Sequence, residues 1–148
     1  MDTTSLEGGA RPRRASVRTA AGILLLLATA VIHLLVVRGY LHRHPYVGWL
    51  FIADSAGAML AAAGIAVDAR GAWSLSALVG ALPAIGFVLS RTIGLPMYSD
   101  DDWLEMRAGV PLGVLSLAVE VALVALCVAV VLGPEGLRRH GAVPGSTR

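Results

Sequence analysis

The chain has 148 residues, 56% of them hydrophobic and 15% charged, with a formal charge of +2 and a mean hydropathy of +0.72. A soluble domain of this size carries about 45–50% apolar and about 25% charged residues, so the composition points away from a soluble globule and to a polytopic membrane protein. The small net charge argues against nucleic acid as a partner: the basic residues are all arginine and gather at the ends of apolar runs, where membrane topology accounts for them.

Residues 1–19 are polar, rich in Gly, Pro and Arg, and read as a disordered cytoplasmic tail. Arg11, Arg13, Arg14 and Arg18 precede the first apolar run in the manner of a signal peptide, with Ala28-Thr29-Ala30 as a conceivable cleavage site. The run continues to Val37, about 27 Å of helix, which favours an uncleaved first span over 20–37. A short loop at 38–45 carries His42 and His44. The second span is 47–67, with Asp54 inside it, and a tight connection leads to the third at 72–89. Pro83 lies within the third span, where neighbouring helices tolerate a proline. The longest loop, 90–108, precedes the fourth span at 109–132, whose first turn suits Pro111. A second disordered cytoplasmic tail covers 133–148. The predicted fold is therefore all-α, a four-helix transmembrane bundle.

Arginine sets the orientation. With both termini cytoplasmic, the inner segments hold Arg11, Arg13, Arg14, Arg18, Arg70, Arg138, Arg139 and Arg148, and the outer loops only Arg38, Arg43, Arg91 and Arg107. Trp49, Trp73 and Trp103, with Tyr40, Tyr46 and Tyr98, fall near span ends, as an interfacial aromatic belt requires.

Glu120 stands near the middle of the fourth span. A carboxylate there costs roughly 2.5–3.5 kcal/mol on insertion scales and needs partners. On this topology His33, Asp54, Arg91 and Glu120 all belong to the outer half of the bundle. Helical spacing places each on a face with small residues: Gly22, Leu26 and Thr29 with His33; Gly57, Ala61 and Gly64 with Asp54; Gly80, Ala84 and Phe87 with Arg91; Gly109, Gly113, Ser116 and Cys127 with Glu120. Cys127, the single cysteine, precludes an intramolecular disulfide or a CxxC motif and reads as a packing residue.

Two readings of this cluster compete. In the structural one, Arg91 pairs with Asp54 and Glu120, and His33 completes a network that holds helix register. In the functional one, His33, Asp54 and Glu120 bind a metal ion, a proton or a small polar ligand, and His42 and His44 lend imidazoles to a metal site of zinc or iron type. Haem ligation is the weaker variant, because only His33 lies firmly within a span. The acidic run Ser99–Glu105 reads better as the cap and first turn of a short interfacial helix than as a cation site.

The segment Ser90-Arg91-Thr92-Ile93-Gly94-Leu95-Pro96 resembles one found after the third span in uncharacterised four-span bacterial integral membrane proteins. Those proteins also carry a histidine late in span one and a glutamate within span four, which His33 and Glu120 match. The resemblance covers about residues 20–132. It implies an architecture only and groups Arg91, His33 and Glu120; it implies no activity, and the expected location is a bacterial inner membrane. No HExxH, GxSxG or similar catalytic signature is present. The expectation is a small non-enzymatic membrane component embedded in the bilayer, packing through its small-residue faces against a protein partner or a second copy. The alternative is a metal-, haem- or proton-binding membrane protein.

Overall fold

The structure, a computed structural model, describes residues 10–133. Of the tails expected over 1–19 and 133–148, residues 1–9 and 134–148 lie outside the described residues. Four helices occur among the described residues: α1 Ala10–Arg43, α2 Pro45–Ala66, α3 Ala72–Thr92 and α4 Leu112–Val131. Each is long and apolar enough to cross a bilayer, and the chain is a multi-pass all-α membrane protein. The helices run up, down, up and down. α1 packs on α2 and α4, and α3 on α4 and α2. The upper end carries the α1–α2 corner and the long α3–α4 connection, and the lower end the α2–α3 turn.

Two helix ends differ from expectation. α1 begins at Ala10, inside the segment expected to be disordered, because Ala and Arg favour helix and Pro12 falls in the first turn, where a proline is tolerated. Its upper end runs to Arg43, so the expected loop at 38–45 does not form. Nothing in RGYLHR breaks a helix; the break comes at His44, which Pro45 holds out of the helical region at φ −139° and ψ 74°. Pro45 then opens α2, and the corner is one residue wide.

The lower half holds the apolar core. Leu26, Ala30, Ala58, Ala61, Ala62, Ile65, Ala72, Val79, Leu123 and Cys127 are buried together. The predicted faces of α1 and α4 point inward: Gly22, Leu26, Thr29 and His33 are all buried, as are Gly113, Ser116, Glu120 and Cys127. On α2 the buried row is Ser55, Ala58, Ala62 and Ile65, one residue round from the predicted Asp54, Gly57, Ala61 and Gly64, of which Ala61 alone is fully buried. Small residues set the helix separations. A Cβ on Gly80 would sit 3.1 Å from the backbone oxygen of Glu120 and 3.1 Å from Val124 Cγ2, so α3 and α4 touch at this level. The small-residue contact at Gly80 is thus made within the chain.

The fourth helix starts three residues late. Gly109 belongs not to its face but to a two-residue turn, Ala108-Gly109, joining β1 Met106–Arg107 to β2 Val110–Pro111. Both turn residues have positive φ, 48° and 82°, the geometry that closes a tight hairpin.

Candidate functional site

His33 on α1, Asp54 on α2 and Glu120 on α4 meet two to three turns below the upper end. The imidazole lies between the two carboxylates. Its Nδ1 is 3.0 Å from Asp54 Oδ2, and its Nε2 is 3.1 Å from Glu120 Oε1. Ser116, one turn before Glu120, donates its hydroxyl to the same Oε1 at 2.6 Å and lies 3.3 Å from His33 Nε2. The Phe51 ring packs 4.8 Å from the imidazole, centre to centre. His33 is 2% exposed and Glu120 1%.

The two sides of the ring differ. Nε2 and Glu120 form a hydrogen bond, whereas Nδ1 and Asp54 approach closely without hydrogen-bond alignment. Glu120 Oε2 is buried and has no polar partner among the described residues. With a proton on each nitrogen the imidazolium faces both carboxylates as a donor. A neutral ring requires one carboxyl group to hold that proton instead.

Arg91 does not join this trio, contrary to the expected pairing with Asp54 and Glu120. It is taken by the α3–α4 connection. Its Nε donates to the Asp102 carbonyl at 3.1 Å and its Nη1 to Ser90 Oγ at 2.9 Å. Its Nη2 stands 3.6 Å from Glu105 and 3.7 Å from Asp100, and the guanidinium lies 3.7 Å over the Phe87 ring. The side chain is only 2% exposed.

The acidic run forms turns rather than a short helix. Asp100 Oδ1 accepts from Asp102 N, and Asp102 Oδ1 accepts from Leu104 N and Glu105 N. Carboxylates that cap a helix also close such turns, since in both they accept from amides two or three residues on. Tyrosines expected in an interfacial belt tie this connection to the α1–α2 corner. Tyr98 donates to Asp100 at 3.0 Å and lies 3.1 Å from the Tyr40 hydroxyl, and Tyr46 donates to the Pro96 carbonyl at 2.6 Å.

His42 and His44 stay away from the trio: His42 is exposed, and the His44 ring packs against Tyr98. Among the described residues no group of three or more His, Cys, Asp or Glu is placed to hold a metal ion. The reason lies in the trio itself, because the carboxylates sit at opposite edges of the imidazole and share no common focus. No second histidine faces His33 for haem among the contacts of the described residues.

A cavity of about 350 Å³ rises from the trio. His33, Asp54, Ser116 and Glu120 form its polar base, and Arg91, Tyr98 and Glu105 line its upper part. Between them the walls are apolar, from Phe51, Gly57, Val79, Leu82, Pro83 and Phe87. Exposed lining residues Leu50 and Ala53 of α2, with Leu78 and Leu82 of α3, place its opening on the lateral face between these helices. At the rim, burial raises the Glu105 pKa above its ordinary 4.5, with the Tyr40 hydroxyl and Arg91 opposing the change. Burial likewise pushes the Tyr98 phenol up, and its contacts with Tyr40 and Asp100 add to the effect. Both groups therefore favour their neutral forms more than they would in water.

Of the residues singled out from sequence, His33, Asp54 and Glu120 come together. Ser116 was visible on the Glu120 face, and its position four residues before a buried carboxylate was the available signal. Tyr98 and Glu105 had no such signal. Comparison of the chain with protein-family models, curated proteins and solved structures finds no match in any of the three.

Proposed function

We propose that this chain is a non-enzymatic binding protein of a bacterial cell membrane, with both termini cytoplasmic, that takes a small amphipathic molecule from the bilayer. The supporting observation is the cavity that opens sideways between α2 and α3 and ends on a buried trio with an unused carboxylate oxygen. A cluster serving helix register alone would be closely packed and satisfied, as protein interiors generally are. Here about 350 Å³ remains beside it. A site of this kind, apolar with a few convergent polar groups, is the usual form of a small-molecule site.

Gly86 allows a direct test. It lines the cavity, and a Cβ there meets nothing within 4 Å. Gly86→Phe is expected to fold and to occupy the space. In lipid nanodiscs the wild type should bind the neutral fluorophore 1-aminoanthracene saturably, and Gly86→Phe should not. Equal saturable binding by the two proteins, or none by the wild type, defeats the cavity reading.

The orientation rests on arginine. Arg70 in the α2–α3 turn falls on the cytoplasmic side with the N-terminal arginines, whereas Arg91 on the opposite side is buried and paired. Cys127 is buried, so labelling background is low. A membrane-impermeant maleimide should label Ser99→Cys in intact cells and leave Ala69→Cys unmodified. The reverse pattern inverts the topology.

A further inference from the structure

We infer that the cavity is selective for a hydrophobic amine, with its ammonium group donating to Glu120 Oε2 at the polar base, where two carboxyl groups face one imidazole, and its apolar body in the channel between α2 and α3. This rests on the binding reading above and adds the chemical class of the ligand.

Three independent features carry it. The first is a missing donor. Glu120 is 1% exposed, lines the cavity, and its Oε2 has no partner among the described residues. Its Oε1 already accepts from Ser116 and meets His33 Nε2. An unpaired buried carboxylate oxygen is costly, and an N–H donor arriving through the cavity would satisfy it. The second is charge. The base holds two carboxyl groups against one imidazole, so a cation is favoured there and an anion opposed. The third is shape. The walls between the two ends are apolar, which suits a hydrocarbon body and discriminates against a hydrated inorganic ion.

Arg91 sets where the ammonium sits. It is buried, and its charge is directed to Asp100, Glu105 and the Phe87 ring. Glu120 lies at the level of Gly80, about three turns of α3 below Arg91. The ammonium therefore belongs at the base, and the apolar body extends toward the upper end and the lateral opening.

The test uses the full chain in phosphatidylcholine nanodiscs, with 1-aminoadamantane as the amine and 1-adamantanol as its neutral match. The two share a rigid apolar body, so both report the cavity, and only their ratio reports charge. Titration calorimetry should show the amine binding about tenfold or more tightly than the alcohol, the difference between a charge-assisted and a neutral hydrogen bond. In Glu120→Gln, with its fold verified by circular dichroism, the ratio should fall to near one. Equal binding of both compounds by the wild type overturns the amine assignment and leaves the cavity reading standing; failure of both to bind removes both. A folded Glu120→Gln that keeps the preference also overturns the assignment. Should that variant fail to fold, Asp54→Asn decides the matter: loss of preference supports the site, and its retention refutes it.

Discussion

Replacing His33 with leucine should destabilise the bundle by about 3–5 kcal/mol, the usual cost of breaking a buried ion pair from one side. The two side chains are similar in bulk, so lost packing is a minor part. The cost arises because Asp54 and Glu120 approach the imidazole from opposite edges, at 3.0 and 3.1 Å. Without it, two carboxyl groups share an apolar space with Ser116 as the remaining hydrogen-bond donor to Glu120. Neutralising both, in the triple variant His33→Leu, Asp54→Asn, Glu120→Gln, should recover much of the loss, since buried ionic groups are replaced by neutral ones at little net cost. Equilibrium unfolding by SDS titration in mixed micelles would measure both variants. A single variant as stable as the wild type, or a triple variant no more stable than the single, would show that the trio does not hold α1, α2 and α4 together electrostatically.

The second large effect belongs to Arg91. Arg91→Ala is expected to lower stability by about 2–4 kcal/mol, the range of a lost buried charge network with its hydrogen bonds. It removes the bonds to the Asp102 carbonyl and Ser90 Oγ, the stacking on Phe87, and the charge facing Asp100 and Glu105. Arg38 is exposed, and Arg38→Ala should stay within about 0.5 kcal/mol of the wild type. Arg91→Lys should not rescue, because an ammonium lacks the planar fork that reaches a carbonyl and a hydroxyl while stacking on a ring. Hydrogen exchange gives a local readout: amides of 95–111 should lose protection in Arg91→Ala before those of α1 and α2. Equal melting temperatures for the Arg91 and Arg38 variants would refute the assignment.

The sequence by itself determined the four apolar segments and, for α1 and α4, which side turns inward. Both are local properties. Length and apolarity set a span, and a spacing of three or four residues sets a face, so Leu26, Thr29 and His33, or Gly113, Ser116 and Glu120, could be aligned without knowing their neighbours. It also put His33, Asp54 and Glu120 at a similar depth, which follows from counting turns.

What the tertiary structure decided is how those faces are used. Whether Glu120 meets Arg91 or His33 depends on the rotation of α1 and α4 about each other, which periodicity does not contain. Arg91 was assigned to the trio because it is the nearest cation in depth. It instead meets carboxylates and a carbonyl only a short way along the chain, brought back by turns at Asp100 and Asp102 that share their signals with a helix cap. The corner at His44 was hidden for a similar reason: polar residues that look like a loop fit the end of a helix until Pro45 stops it. The cavity was the least legible feature. Gly57 reads in sequence as a point of close helix approach and is one, since a Cβ there would lie 3.2 Å from Val79 Cγ2, whereas a Cβ on Gly86, also a glycine of the cavity wall, meets nothing within 4 Å. A small residue permits either contact or a void, and only the placement of the neighbouring helix selects between them.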